Sequence, residues 1–168
     1  MFQLASDQGH PVAACSLGYF YEKGLGVPIN LPKAVEYYQL ASDRNDPGGL
    51  CNLGYFYEYG IHVEIDFDKA RKLYQRAAKQ GYARAQCNLA HLYENGKGVP
   101  QNYSLAMFYY KKAAKQNYPR AQRCLGILYA NGHGVEKNVD KAFALYIKAA
   151  EQGDEVAQCN VGYYYDNR

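Results

Sequence analysis

Nowhere in its 168 residues does this chain hold a run of about 18 apolar residues, so no segment is suited to cross a bilayer as a helix. Cys-x-x-Cys and His-x-x-x-His are both missing, which leaves no local spacing for a metal site. Gly-Lys-Ser/Thr is absent too. Gly24/Gly26, Gly96/Gly98 and Gly132/Gly134 therefore read as turns that follow helices, not as loops cradling phosphate. No Ser-x-x-Lys nucleophile motif occurs, and no cofactor is expected. Tryptophan is lacking altogether.

Cysteine is present but unhelpful to a disulfide framework, since five is an odd count. Cys15, Cys51, Cys87 and Cys159 occupy one position of a recurring frame, with Cys124 one place along. Equivalent positions in neighbouring stacked helices lie roughly 10 Å apart, beyond the ~7 Å Cα separation that a disulfide bridges. Unpaired thiols favour a reducing compartment, so a cytoplasmic location is expected, with an upstream signal not excluded. The net charge of +3 is unevenly spread. Residues 1–60 carry three Lys/Arg against six Asp/Glu, residues 61–125 twelve against four, and the remainder four against six. The central block, at +8, suits an acidic protein segment or a phosphate. Without a nucleic-acid-binding motif it is no argument for DNA or RNA.

What the chain does have is repetition. Tyr21, Tyr57, Tyr93, Tyr129 and Tyr165 stand 36 residues apart. Around them recur Ser16-Leu17-Gly18-Tyr19-Phe20-Tyr21, Asn52-Leu53-Gly54-Tyr55-Phe56-Tyr57 and Asn88-Leu89-Ala90-His91-Leu92-Tyr93. A fixed period of this length marks stacked supersecondary units. The units run 10–45, 46–81, 82–117 and 118–153, flanked by part-units 1–9 and 154–168.

Within residues 46–81, Leu50, Leu53, Gly54 and Tyr57 fall at i, i+3, i+4, i+7, as do Ala70, Leu73, Tyr74, Ala77 and Ala78 on a second stripe. Each unit is thus expected to hold two amphipathic helices, A and B. Asn30, Asp66, Asn102 and Asn138 are placed to cap helix B. Gly9, Asn45, Gly81, Asn117 and Gly153 suit the left-handed turn that ends it, with Pro11, Pro47 and Pro119 two places on. Tyr38, Tyr74, Tyr110 and Tyr146 read as aromatic knobs over grooves of small residues such as Ala34 and Ala41. His62 stands where siblings have Gly26, Gly98 and Gly134, which predicts mild strain. The fold class is all-α: a right-handed α-solenoid of antiparallel helix pairs.

This pattern resembles the Sel-1-like repeat family, short relatives of the tetratricopeptide repeats. Residues 121–150 carry the match in Ala121, Leu125, Gly126, Tyr129, Gly132, Gly134, Val135, Lys141, Ala142, Tyr146, Ala149 and Ala150. The family's tryptophan before the helix B tyrosine is replaced by Tyr37, Leu73, Tyr109 and Leu145. The resemblance implies a non-enzymatic scaffold or adaptor that binds a peptide or protein domain in a concave groove lined by helix A. Carried over by position, that groove holds Asn52, Tyr55, Tyr59, Asn88, His91, Asn95 and Arg123, rimmed by Glu58 and Glu94. The asparagine, tyrosine and histidine positions vary between repeats and share one helical stripe. Glu22, Glu58 and Glu94 form a ladder with no distinct partner acid, which fits a groove edge better than a glycosidase pair.

Two other readings stand beside the scaffold. The array is a spacer attached to a catalytic domain, or it is a hydrolase of the cysteine-rich repeat type, whose members carry cysteine pairs that this chain lacks. Both ends expose helices without their partners, Val161, Tyr163, Tyr164 and Tyr165 among them, so end-to-end self-association is expected.

Overall fold

A computed structural model describes residues 11–166. Every described element is an α-helix of 12 or 13 residues: α1 Pro11–Lys23, α2 Leu31–Asp43, α3 Pro47–Tyr59, α4 Phe67–Lys79, α5 Ala83–Asn95, α6 Tyr103–Lys115, α7 Pro119–Asn131, α8 Val139–Ala150 and α9 Glu155–Asp166. Odd helices are the A type and even ones the B type. Each repeat is an antiparallel pair, and within each unit neighbouring pairs pack on one another. The chain divides into two units, Met1–Ala85 and Gln86–Arg168. Residues 2–8, one of the two ends expected to associate, lie outside the described residues, as does Gly9.

Capping chemistry sets the helix boundaries as expected. The side chains of Asn30, Asp66, Asn102 and Asn138 accept hydrogen bonds from the backbone N–H of Lys33, Lys69, Leu105 and Lys141 at 2.8–3.0 Å. Each is worth about 1 kcal/mol. The backbone N–H of the same four residues returns to the carbonyls of Tyr21, Tyr57, Tyr93 and Tyr129 at 2.8–3.0 Å. The 36-residue tyrosines thus anchor the loop between A and B through their main chain. Their rings have a second use. Lys33, Lys69 and Lys141 set their ammonium groups 5.1–5.6 Å from the centroids of Tyr21, Tyr57 and Tyr129, a cation–π geometry.

In unit 1 the core joins Ala34, Tyr38, Leu53 and Phe56, with the Tyr38 and Phe56 rings edge to face at 5.4 Å. The knobs rest differently from the expectation. A Cβ on Gly18 would lie 2.6 Å from the Tyr38 ring, and one on Gly54 2.8 Å from that of Tyr74. The helix B tyrosine therefore sits on the helix A glycine, with the alanines filling space beside it. Ala41 packs instead against Gly49 of the next repeat, where a Cβ would come within 2.4 Å of the Ala41 Cβ.

Unit 2 repeats this plan over α6 to α9. Gly126 carries the Tyr146 ring, at 2.7 Å from a Cβ built there. Ala90 holds the equivalent position on α5, and both it and Tyr110 are fully buried. On α9 the ring of Tyr164 stacks on Phe143 at 4.3 Å, Tyr165 meets Phe143 edge to face at 5.2 Å, and both Tyr163 and Tyr165 remain largely exposed.

Candidate functional site

Helix A variability singled out residues that the structure treats very differently. In unit 1, Tyr55 and Tyr59 are exposed, and their rings lie 4.5 Å apart, one turn along α3. Asn52, one turn earlier, is half-buried. Its Nδ2 donates to Cys15 Sγ at 3.6 Å, and its Oδ1 accepts from the Arg84 guanidinium. Arg84 also donates from Nε to Cys51 Sγ at 3.3 Å and lies over the Tyr82 ring, 5.9 Å from its centroid. Asn52 is thereby held in one rotamer by the repeat that follows it.

Glu58 does not stand at an open rim. It is only 4% exposed, and its Oε2 accepts the Tyr74 hydroxyl at 2.9 Å. Glu22 and Glu94 accept from Tyr38 and Tyr110 in the same way, at 2.5 and 2.7 Å. The carboxylate ladder is a packing device, because a phenol turned into the helix pair needs an acceptor. Burial, together with these carboxylates, holds the Tyr38, Tyr74 and Tyr110 hydroxyls far above the ordinary phenol range.

In unit 2, Asn88 is buried and its Oδ1 accepts from Arg120 Nη1 at 3.1 Å, repeating the Asn52–Arg84 fastening. His91 is half-buried. Asn95 is exposed, and its Nδ2 donates to the His91 carbonyl at 2.9 Å. Arg123 pairs with Asp154 at 3.0 Å. Buried Cys87 and Cys124 share a thiol hydrogen bond. That bond, followed by burial, raises Cys87 well above the usual thiol value.

The sequence reading missed the feature that shapes unit 1. Repeat position 12/48/84/120/156 reads Val, Gly, Arg, Arg, Val. Arg84 and Arg120 reach back from it to an asparagine, whereas Gly48 has no side chain to do so, and a Cβ there would lie 3.0 Å from Cys15 Sγ. The result is an open cavity of about 430 Å³, whose walls include Tyr19, Asp46, Gly48, Asn52, Tyr82 and Arg84. Asp46 is engaged in capping α3, accepting from Gly49 N at 2.7 Å. Cys15, also in the wall, has its thiol pushed up to about 12 by burial and by the Asp46 charge, so it is no nucleophile. The between-repeat variation used for the helix A stripe would have found this position had it been applied to the first turn.

Among the described residues, no group of His, Cys, Asp and Glu is arranged to hold a metal, and no helix is long and apolar enough to cross a membrane. Paired antiparallel helices with polar or aromatic A faces give a helix-repeat scaffold fold, the kind used by protein-interaction domains. The Sel1 repeat model matches residues 11–46, 47–82, 83–118, 119–154 and 156–167, and the chain belongs to that family. Proteins of the Sel1 and tetratricopeptide-like kind generally mediate protein–protein interactions.

Among solved structures it is similar to a protective antigen of uropathogenic Escherichia coli strains with an SLR fold. The two are 35% identical with a TM-score of 0.90, over 99% of this chain and 36% of that one. It is also similar to a Sel1 repeat protein from Oxalobacter formigenes (33% identity, TM-score 0.86, 94% of this chain and 64% of that one). An immunity protein from Pseudomonas aeruginosa is more distant, at 28% identity and TM-score 0.66, over 93% of this chain and 58% of that one. The chain thus spans between about a third and two thirds of the length of these relatives. A comparison with curated proteins gives no match.

Proposed function

We propose that the protein is an adaptor whose unit 1 binds an extended segment of a partner protein across the A helices. The cavity opened by Gly48 carries this reading. It is large enough for one bulky side chain, and tyrosines at its wall and flank offer rigid contact area at low entropic cost. Tyr19 and Tyr82 line it, and the exposed Tyr55 and Tyr59 continue the aromatic surface along α3. Arg84 in the wall favours an acidic residue beside the anchoring side chain. The partner is accordingly an acidic peptide or loop with an apolar or aromatic anchor. The exposed face of α9, with Tyr163 and Tyr165, serves a second kind of contact, association with another copy or another repeat.

Gly48→Arg tests the main reading by installing the side chain that repeats three and four already carry at this position. Peptides selected from a displayed library against the wild-type chain should bind the variant at least about tenfold more weakly, as loss of a buried anchor demands. Circular dichroism should show equal helicity. Peptides that bind both chains equally would remove the cavity from the function.

A further inference from the structure

A groove on the opposite, B-type helices exists in two copies, one in each unit, and its walls are equivalent residues 72 positions apart. In unit 1 it has a volume of about 270 Å³ and is lined by Gln39, Ser42, Leu53, Leu73 and Arg76 among others. In unit 2 it has about 360 Å³ and is lined by Lys111, Ala114, Leu125, Leu145 and Lys148, with Lys115 beside them. The leucine floor is the same in both, so packing asks the same of each. The rims differ. Where unit 1 has Gln39 donating to Asp43 at 2.7 Å, unit 2 has Lys111 and Lys115.

Cations near the unit 1 groove are also already engaged. Lys69 and Lys72 pair with Asp66 and Asp68 at 3.4 and 2.6 Å, and Arg76 donates to the Ser42 carbonyl and Asn45 Oδ1. In unit 2 the positions of those two aspartates hold Asn138 and Asp140, and Asp140 accepts from the Tyr164 hydroxyl at 3.3 Å. No carboxylate lines the unit 2 cavity, and Lys111, Lys115 and Lys148 form no ion pair with a described residue.

We infer that the Lys111/Lys115/Lys148 groove is a docking site for an acidic, glutamate- or aspartate-rich segment of a partner protein. It is separate from the helix A cavity and does not depend on it. Charge complementarity identifies the occupant. Three lysines around an aliphatic floor suit carboxylates on short apolar stems, and the Asn117 amide at the rim can pair with a peptide backbone. A phosphate-rich ligand is disfavoured, because the lining has no arginine fork to hold phosphate in two-point contact. A nucleic acid is disfavoured too, because no aromatic ring is present for base stacking. The carbonyl end of α6 lies beneath Lys111 and Lys115 and offsets part of their field, so binding is modest and salt-sensitive.

The test uses the full chain and fluorescein-labelled oligoglutamate, read by fluorescence anisotropy. Lys111→Gln/Lys115→Asp rewrites the rim with the residues of the unit 1 groove, which the fold already accommodates at equivalent positions. Binding should weaken roughly tenfold, the scale that loss and reversal of exposed charge pairs allows. Lys79→Asp/Lys137→Gln makes the same change in net charge away from the groove and should leave binding at the wild-type level. Gly48→Arg should leave it unchanged as well, which separates this site from the helix A cavity. Equal weakening by both charge variants, no binding by the wild type, or displacement of the peptide by tripolyphosphate at lower concentration than by free oligoglutamate would each overturn the assignment.

Discussion

His62 shows how much a single backbone angle can demand. Its φ of 57° matches the 67–72° of Gly26, Gly98 and Gly134 at the same turn, so the loop keeps its shape and the histidine bears the strain. A left-handed angle costs an L-residue roughly 1–2 kcal/mol, of which the greater unfolded-state freedom of glycine returns part. His62→Gly should therefore stabilise the protein by about 0.5–1 kcal/mol, seen as a higher urea midpoint at unchanged slope. A lower midpoint would show that the imidazole makes a compensating contact. This strain was legible in the sequence, because three sibling glycines define the requirement. The role of Gly18, Gly54 and Gly126 was not. Their spacing put them on the core stripe, but only the packed helices reveal that a phenol ring lies where a Cβ would go.

At the scale of the helix pair, burial of the tyrosine hydroxyls, reinforced by their glutamate partners, makes stability depend on alkalinity. Tyr38, Tyr74 and Tyr110 stay neutral in the fold well above the unfolded-chain pKa of about 10. Their stabilising effect is complete below that pH. Above it the unfolded chain releases protons that the folded chain retains, so stability falls as pH rises, by about 1.4 kcal/mol per pH unit for each tyrosine. Tyr74→Phe should lower stability at pH 7, because Glu58 loses its buried donor. It should also flatten the decline between pH 10 and 11.5 by about one tyrosine's share. Denaturant titrations across that range give both quantities, and an unchanged slope would contradict the assignment.

The pairing of helices, their caps and their ends followed from period and turn chemistry. The carboxylates were harder to place. A ladder of glutamates on a helix looks the same in sequence whether it faces water or a phenol sixteen residues later, and only packing decides. Asn52 and Asn88 were misjudged for a related reason. An amide at a position that varies between repeats and sits off the core stripe resembles a ligand-binding group, yet both are fastened to an arginine about 32 residues on.

For the whole molecule, the exposed Tyr163 and Tyr165 of α9 set the expectation of self-association. Sedimentation equilibrium should show the mass-average rising with concentration, and Tyr163→Glu/Tyr165→Glu should hold it at 19.0 kDa. A constant monomer mass for the wild type would exclude that contact.

The arginine fastenings also give the chain a grammar. Arg84 reaches to Asn52 and Arg120 to Asn88, each from a later repeat to the one before it. Gln80 and Arg76 do likewise, donating to the Asn45 and Ser42 carbonyls. Each clause is closed by the word that follows it. A duplicated repeat therefore arrives with its own clasp for whatever precedes it, and the array can lengthen without rewriting its neighbours.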